Sequence, residues 1–404
     1  MKSLTNKQPL SKEHFYKICV VGGGMTGAIM ALLLKKSKLF DTNDIAWVVP
    51  NIKIDNDIRT TFYNQKSIDL LNKLDIWDTL KKSDYTNVKR IEVFGKKDVS
   101  PLIWDNSSEE ECFGAVVKNN VMLSSIFDKL EGIKQYEAFV TNTTCDQFER
   151  TLYLNNKQSI KTTLVLSADG KNSQLRKLLS IKTIAKKTGH IALSGFLEQS
   201  RNHQFTAIQA FTDLGPIGLL PFENKNKINF VLSVEKNKYE MILSKDCPEK
   251  YICEKLDIFF SSLNLNFKPI KKIGSVNNEL SSWPLNLNFI INPTTQRAIL
   301  IGDAAHSLHP LAGQGLNLAM RDCVSVVNSV EKSLKFGNDL GDISILESYK
   351  KDRLSNTIAM TAITDFLFYG FTSNSNVLQT VLSKGMETLN KSELKNIFSK
   401  LAAK

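Results

Sequence analysis

The sequence predicts an α/β protein with a parallel-sheet nucleotide-binding domain, an inserted region of mainly antiparallel β-structure, and a helical C-terminal tail. An apolar run near residue 20 ends in a glycine-rich turn that opens a helix, alternating apolar residues dominate positions 185–290, and apolar residues recur at helical spacing after position 365. Alternation is typical of half-buried strands, whereas helical spacing is typical of amphipathic helices. A chain of 404 residues is long enough for two or three domains.

The first turn carries a phosphate-binding pattern. The strand-like run Ile18–Val21 leads into a GxGxxG turn and a helix-forming stretch, and the run Ile45–Val49 completes a β-α-β unit. The glycines of such a turn serve the tight bend, the close approach of the backbone to a pyrophosphate, and the packing of helix on strand. Free N–H groups at the helix N-terminus then face the phosphates. The turn residues that we expect to bind a dinucleotide are Gly22, Gly24, Thr26 and Gly27.

The second strand lacks the acidic residue that usually follows it and holds the ribose hydroxyls. It is followed by Pro50 and Asn51, and the nearest acid, Asp55, lies several residues later. Two alternatives stay open: Asn51 or a backbone group holds the ribose, or the ribose is recognised less tightly. Arg59 follows in the same loop, where a guanidinium can pair with a pyrophosphate.

The next segment is predicted to contain mixed elements. Helical spacing predicts an amphipathic helix over residues 68–80, with Ser67 as its N-cap. We also expect strands between residues 85 and 115, a helix over 120–130 and a hairpin over 138–154.

A second strand, turn and helix follow between residues 163 and 176. The turn contains Asp169-Gly170, and a carboxylate there can accept hydrogen bonds from ribose or ribityl hydroxyls. An Asp-Gly pair is also a common turn without any ligand.

The inserted region has no nucleotide-binding pattern, and we predict that it binds the substrate. One helix is expected around residues 248–263. The expected antiparallel strands are 190–198, 205–211, 217–222 and 228–234.

A third strand, loop and helix occupy residues 297–322. The strand leads to Gly302-Asp303, the loop carries His306, His309 and Pro310, and the helix begins near Gly315. A metal is not expected, because the two histidines have no carboxylate or thiolate partners at ligand spacing. The helix N-terminus again directs free N–H groups towards an electron-rich group.

Three motifs resemble, in the same order, those of the FAD-dependent aromatic hydroxylases, the para-hydroxybenzoate-hydroxylase-like group A flavoprotein monooxygenases. They are the turn at 22–27, Ala168-Asp169-Gly170 with Ser173 and Arg176, and Gly302-Asp303. The longer stretch GDAAHSLHPLAGQGLNLAMRD at 302–322 is similar to the version found in the ubiquinone-biosynthesis hydroxylases. The resemblance implies a Rossmann-like FAD-binding domain of the glutathione-reductase type.

The resemblance also implies roles for single residues. The FAD pyrophosphate would lie on the first turn, the ribityl chain at Asp303, and the isoalloxazine near Pro310 with its pyrimidine edge at the following helix N-terminus. The residues implied to bind FAD are Gly22, Gly24, Thr26, Gly27, Arg59, Asp169, Gly170, Gly302, Asp303, Pro310, Gly313, Gly315, Leu316 and Asn317.

In this family NAD(P)H reduces FAD, O2 forms a flavin C4a-hydroperoxide, and the distal oxygen is transferred to an electron-rich ring. The resemblance therefore implies hydroxylation of a polyprenylated phenol or benzoquinol in ubiquinone biosynthesis. The alternatives are a hydroxylase of a small soluble aromatic compound and an isoprenoid reductase. No side chain is assigned as acid or base, and the candidates for contact with the reacting groups are His306, His309 and Pro310. Both histidines have the alternative role of fixing the loop by hydrogen bonds.

These motifs divide the chain into three expected parts. The FAD-binding domain is expected over residues 15–80, 110–182 and 290–345, and the substrate-binding domain over 81–109 and 183–289. A helical C-terminal region is expected over residues 346–404.

The net charge of +11 fits the phosphates of FAD and NAD(P)H and an anionic membrane surface. Nucleic acid is not expected as a partner, because the lysines are scattered and no arginine-rich tract occurs. The expected partners are a hydrophobic polyprenyl-phenol, O2, other ubiquinone-biosynthesis proteins and a second copy of the chain. The basic amphipathic tail either lies on a membrane or packs against the body of the protein or a second subunit. Without a secretory signal or a spanning apolar run, a cytoplasmic protein peripheral on the inner face of the cell membrane is expected.

Overall fold

A computed structural model describes residues 14–50, 59–95, 101–105, 111–223, 225–273, 276–277, 279–309 and 313–372. The expectations for Asn51, Asp55, Pro310 and the tail after Thr372 lie outside the described residues.

The described elements are as follows in chain order. The strands are β1 (His14–Val21), β2 (Ile45–Val49), β3 (Thr60–Asn64), β4 (Tyr85–Val88), β5 (Arg90–Phe94), β6 (Leu102–Asp105), β7 (Gly114–Lys118), β8 (Lys134–Glu137), β9 (Val140–Cys145), β10 (Arg150–Leu154), β11 (Ser159–Ser167), β12 (Ile184–Gln199), β13 (Thr206–Phe211), β14 (Pro216–Pro221), β15 (Lys227–Glu235), β16 (Phe267–Pro269), β17 (Lys272–Ile273), β18 (Val276–Asn277), β19 (Ser281–Phe289), β20 (Thr294–Thr295), β21 (Ala298–Leu300) and β22 (His306–Ser307). The helices are α1 (Met25–Lys36), α2 (Gln65–Lys73), α3 (Asn119–Phe127), α4 (Gln174–Leu178), α5 (Lys236–Leu243), α6 (Pro248–Phe259), α7 (Gln314–Lys335) and α8 (Ile343–Thr372).

The first sheet is built around four parallel pairings. Its main order is β20-β21-β11-β1-β2-β8, and the antiparallel β9-β10 hairpin extends it beside β11. All five residues of β2 are buried, as expected for a strand of a parallel sheet that is covered on both faces. Helix α1 packs its buried residues into the same core as Ile18 and Trp47. The predicted β-α-β unit and the predicted hairpin are confirmed.

The second sheet has the order β22-β19-β12-β15-β14-β13-β5-β6 and is antiparallel except at the β13–β5 pair. The four predicted strands between residues 190 and 234 are confirmed as β12 to β15. The expectation of a single helix in this region is wrong, because α5 precedes α6. Helix α5 has a charged first turn, Lys236-Asn237-Lys238, and buries only Ile242, so its sequence carries little helical apolar spacing.

A small sheet of β3, β7 and β4 carries α2 at one end. The helix begins two residues before the predicted N-cap Ser67, so that prediction is wrong. Asn64 is the N-cap, and its side-chain oxygen accepts the N–H of Ser67 at 3.0 Å. The Ser67 hydroxyl is instead bonded to Asn317, 250 positions away. A tertiary contact therefore displaced a cap that local sequence favoured.

Helix α8 runs along both large sheets. Near its start, the Tyr349 hydroxyl donates to the carbonyl of Leu300 in the first sheet at 2.9 Å. Near its end, Phe371 stacks on Phe211 of the second sheet, with ring centroids 4.0 Å apart. The C-terminal region is thus helical as far as the description extends. In the described part of the chain, no helix combines the length and the apolar character needed to cross a membrane.

Candidate cofactor site

The three glycines of the first turn have different surroundings. A side chain at Gly22, whose φ is +127°, would overlap the carbonyl of Ala168, and one at Gly27 would overlap the carbonyl of Gly22. These two glycines are needed for backbone packing. A Cβ at Gly24 would meet no atom of the described residues within 4 Å. The backbone at Gly24 is therefore open to a ligand, as pyrophosphate binding requires.

The N-terminus of α1 meets the requirements for binding an anion. Gly24 is the N-cap and supplies no side chain to the free N–H groups, and the first turn contains no acidic residue. The last turn carries Lys35 and Lys36, which complement the opposite end of the helix dipole. Thr26 in the first turn lies close to Gly302, since a Cβ at Gly302 would be 2.9 Å from its methyl group. The first and third motifs are thus in contact.

The second motif is held by its own side chains. Asp169 accepts the hydroxyl of Ser167 at 2.7 Å and the N–H of Leu175 at 3.0 Å. Arg176 donates to the carbonyl of Ala304 at 2.9 Å and to that of Lys171 at the same distance. Arg176 therefore connects the second motif to the third. Gly170, with φ +81°, has open space where a side chain would lie.

The carboxylate of Asp322 organises the third motif. It lies 2.6 Å from His306 Nε2, accepts the N–H of Gly302 at 2.9 Å, and accepts Arg353 Nε at 2.7 Å. Burial raises the pKa of Asp322, but His306 and Arg353 outweigh it and hold the pKa below its ordinary value. His306 is itself buried. Of its two alternative roles, the structure provides the hydrogen bond that fixes the loop.

Asp303 directly follows Gly302 in the third motif. Its side chain keeps access to solvent, although protein atoms surround it. That surrounding protein raises the pKa of the Asp303 carboxyl, and the charges of His306 and Lys171 only partly offset the effect. Lys171 is held nearby by a bond to the carbonyl of Pro284 at 2.7 Å. An accessible carboxyl at this position suits hydrogen bonds from a neutral chain of hydroxyl groups.

The N-terminus of α7 is attached to the small sheet by Asn317. Its amide nitrogen donates to the carbonyl of Phe62 at 2.9 Å, and its oxygen accepts the backbone N–H of Asn64 at 3.0 Å. Gly313, the N-cap with φ +62°, leaves 3.1 Å between an added Cβ and Phe62. No atom of the described residues lies within 4 Å of a Cβ at Gly315. The side chains fix this turn and its backbone stays open.

Leu316 packs against the main hydrophobic core beneath the same turn.

Arg59 lies between the small sheet and the second sheet. Its side chain is exposed, and its guanidinium carbon is 5.9 Å from the ring centroid of Trp283 on β19. The neighbouring Thr60 hydroxyl bonds to Asn229 on β15 at 3.0 Å. Sequence reasoning missed Trp283 and Asn229. The one available signal in the sequence was Asn229 itself, an asparagine within the apolar run of β15. In the structure it is 1% exposed.

His309 is separated from the network of His306. Its ring stacks on Phe368 of α8 with 3.6 Å between centroids, and its Nε2 lies 3.6 Å from Asp365 Oδ1. Tyr369 stands edge-on to it at 5.6 Å. Sequence reasoning did not connect His309 with these helix residues.

The motif turns converge at one edge of the first sheet. Gly22, Asp169 and Gly302 lie one or two positions beyond the carboxyl ends of the adjacent parallel strands β1, β11 and β21. Open α/β sheets bind ligands at this edge. The fold and the site therefore define a dinucleotide-binding α/β protein with open backbone at Gly24, Gly170 and Gly315 and an accessible carboxyl at Asp303.

Comparison with known proteins gives the family. The model of the FAD binding domain family matches residues 16–364, and the chain belongs to that family. FAD is its cofactor, and the family includes FAD-dependent monooxygenases. The open positions fit this group: Gly24 and the α1 N-terminus would hold the pyrophosphate, Asp303 the ribityl chain, and Gly313 to Asn317 the flavin ring.

Similar proteins match over nearly the whole chain. The mitochondrial ubiquinone biosynthesis monooxygenase COQ6 of Dictyostelium discoideum is 28% identical and covers 98% of this chain and 92% of its own length. The 3-demethoxyubiquinol 3-hydroxylase of Escherichia coli is 23% identical and covers 92% of this chain and 93% of its own length.

A solved structure confirms the fold class. The p-nitrophenol 4-monooxygenase PnpA of Pseudomonas putida superposes with a TM-score of 0.73 at 15% identity, covering 96% of this chain and 99% of its own. At this identity the likeness concerns the fold.

Proposed function

We propose that the protein is an FAD-dependent monooxygenase that uses NAD(P)H and O2 to hydroxylate the aromatic ring of a polyprenylated phenol or benzoquinol in ubiquinone biosynthesis. The observation that carries this proposal is the similarity, over nearly the whole chain, to enzymes named for ubiquinone biosynthesis. The three motif turns that meet at one edge of the first sheet agree with it. FAD, when bound, supplies the electron transfer from NAD(P)H and the activation of O2.

The chain's own residues bind and orient the reactants. The N-terminus of α1 would hold the pyrophosphate, because its free N–H groups and dipole favour negative charge. The N-terminus of α7 would favour negative charge on the pyrimidine edge of the flavin for the same reason. Arg176 joins the second motif to the third, Asp322 holds Gly302, and Asn317 attaches the N-terminus of α7 to the small sheet. Arg59 and Trp283 lie where the second sheet meets the site.

The domain division is part of the proposal. Residues 15–80, 110–182 and 290–345 form the FAD-binding domain, and residues 81–109 and 183–289 form the substrate-binding domain. Support comes from the two large sheets, since β1, β2, β11 and β21 belong to one and β12 to β15 to the other. Residues 346–404 form the helical C-terminal region.

The proposed place of action is a membrane surface, on the inner face of the cell membrane, because the substrate carries a polyprenyl chain. Other ubiquinone-biosynthesis proteins and a second copy of the chain are proposed partners. The net charge of +11 supports association with anionic lipid. A flotation assay with anionic and neutral vesicles tests this placement, and equal recovery with both vesicles would contradict it.

Lipid analysis and turnover test the function. A deletion strain is expected to lose ubiquinone and to accumulate a prenylated ring that lacks one hydroxyl, as read by mass spectrometry. The purified protein is expected to bind FAD and to oxidise NAD(P)H faster when a prenylated phenol is added. A Gly24→Val variant is the control, because its side chain enters the open space at this turn. It is expected to keep the fold, as measured by circular dichroism, and to lose FAD binding. Normal ubiquinone in the deletion strain, with turnover of small phenols alone, would instead indicate a hydroxylase of soluble aromatics.

A further inference from the structure

A second polar site lies where the loop between Asp303 and Gly313 meets α8. We call its members, His309, Asp365, Phe368, Tyr369 and Lys186, the His309 cluster. His309 is 1% exposed and stacks on Phe368 at an interplanar angle of 13°. The Lys186 ammonium of β12 lies 3.9 Å from the ring centroid of Tyr369 and 3.8 Å from Asp365 Oδ2. The cluster thus joins the cofactor loop, α8 and the second sheet.

Four buried polar atoms of the cluster have no hydrogen-bond partner among the described residues. They are His309 Nδ1, His309 Nε2, Asp365 Oδ1 and the Tyr369 hydroxyl. The His309–Asp365 separation of 3.6 Å exceeds a hydrogen bond. Most buried polar groups in proteins are paired, and leaving one unpaired is unfavourable. Several atoms from three side chains in one place therefore keep hydrogen-bonding capacity that the described residues leave unused and that suits the polar group of a ligand.

The charges of the cluster favour a neutral partner. Burial, together with His190 and Lys186, lowers the pKa of His309 to about 3, so its ring is neutral near pH 7. A neutral imidazole offers one N–H donor and one acceptor nitrogen. The tyrosine hydroxyl can also donate or accept. Lys186 already lies beside the Asp365 carboxylate, so the cluster holds no spare charge to attract an ion.

The surroundings favour an aromatic ring that carries this polar group. Phe368 and Tyr369 flank His309, and Phe371 and Phe211 stack further along α8. His309 lies six positions after Asp303 and two positions after the end of β22, so the cluster and the Asp303 turn belong to neighbouring parts of the chain.

We propose that the His309 cluster binds the ring hydroxyl of a phenolic substrate, with His309 and Tyr369 as its hydrogen-bond partners. The proposal rests on the proposed function and names the residues that recognise the ring. In the bound state the substrate hydroxyl donates to His309 or accepts from Tyr369, and no proton changes owner. The cluster therefore selects and orients the ring.

The first test separates ligand binding from a structural role. Tyr369→Phe removes a hydroxyl that has no hydrogen-bond partner among the described residues, so the Tm of the ligand-free protein is expected to stay unchanged or to rise. The Kd for a phenol with a two-unit prenyl chain, followed by the change in flavin absorbance, is expected to increase about 3- to 10-fold, as for one lost hydrogen bond. Tyr349→Phe is the matched control on the same helix, because its hydroxyl is bonded to Leu300. That variant is expected to lower Tm and to leave the Kd unchanged.

The second test asks which group on the ligand is recognised. The prenylated benzene that lacks the hydroxyl is expected to bind wild type about 3- to 10-fold more weakly than the phenol, whereas Tyr369→Phe should bind the two probes nearly equally. His309→Phe keeps the stacked ring and is expected to lose the same discrimination.

Three outcomes would overturn the proposal. They are a large fall of Tm in Tyr369→Phe, an unchanged Kd in that variant, or equal discrimination by wild type and both variants. Each of these outcomes counts against the proposal when wild type binds the phenol and oxidises NAD(P)H in its presence. A wild type without that turnover would contradict the proposed function instead, so the two failures are distinguishable.

Discussion

His306 and His309 lie in one loop, yet their surroundings are opposite. His306 shares the Asp322 carboxylate with Gly302 and Arg353, all at hydrogen-bond distance. His309 is as deeply buried, but neither ring nitrogen has a partner among the described residues. A buried polar group whose bonds are complete holds the backbone in place, whereas one whose bonds are incomplete is available to a ligand. The same loop therefore combines a rigid support with a recognition surface.

Removing the support is expected to have the largest effect. Asp322→Ala leaves Arg353 buried without its carboxylate and His306 without its partner, so the free energy of unfolding should fall by about 3–5 kcal/mol. Urea unfolding measures this change. Asp352→Ala, at an exposed position on α8, is the control and should stay within about 0.5 kcal/mol of wild type. Similar losses of unfolding free energy in Asp322→Ala and Asp352→Ala would contradict the supporting role of Asp322. The contrast between His306 and His309 would then no longer hold.

The glycines of the first turn offer a parallel comparison. Gly27→Ala places a methyl group against the carbonyl of Gly22 and should lower the free energy of unfolding by about 1–3 kcal/mol. Gly24→Ala meets open space, so it should retain stability. We expect it to weaken FAD binding measured by fluorescence titration. A strong loss of stability in Gly24→Ala would mean that this backbone is packed rather than open.

The pH dependence of stability tests the surroundings of His309. The pKa of His309 is about 3 in the folded protein against 6.5 for a free imidazole, so the unfolded chain binds more protons between these values. The contribution of neutral His309 is complete above about pH 6.5 and is lost as the pH falls towards 3. His309→Phe lacks this term, so wild type should lose about 2 kcal/mol relative to the variant between pH 8 and pH 5. The free energies of unfolding of wild type and His309→Phe, measured with urea, could instead change with pH in parallel. That result would show that His309 takes up a proton in the folded protein as readily as in the unfolded chain.

The smallest expected effect concerns the cap of α2. Asn64→Ala removes the N-cap bond and should lower the free energy of unfolding by about 1 kcal/mol. Far-ultraviolet circular dichroism with thermal melting measures it. Gln65→Ala, at an exposed position in the first turn, is the control. An unchanged melting curve for Asn64→Ala would contradict Asn64 as the N-cap and favour the predicted cap, Ser67.

Local patterns predicted the three motif turns better than the contacts that join them to the rest of the molecule. The strand–turn–helix units around Gly22, Asp169 and Gly302 were predictable because each is contained in a short stretch whose glycines and apolar runs have local causes. Their convergence at one edge followed from the parallel sheet. The cross-links did not follow, since Asn317 reaches Asn64 across 253 positions.

The His309 cluster could not be predicted from the sequence for the same reason. It joins β12, the loop after β22 and the end of α8, and no local pattern brings Lys186, His309 and Asp365 together. Ser67 illustrates the opposite failure, where local preference indicated a cap and a distant asparagine took its hydroxyl. Tertiary contacts between distant segments decide such cases.

Helix α8 sets a mechanical limit on motion in this molecule. It is one uninterrupted rod bonded to Leu300 at Tyr349 and stacked on Phe211 at Phe371, points about 33 Å apart at 1.5 Å per residue. A rotation of one large sheet against the other must either bend this rod or break one of its two attachments. The helix thereby opposes hinge opening between the two sheets, with a resistance set by one hydrogen bond and one ring stack.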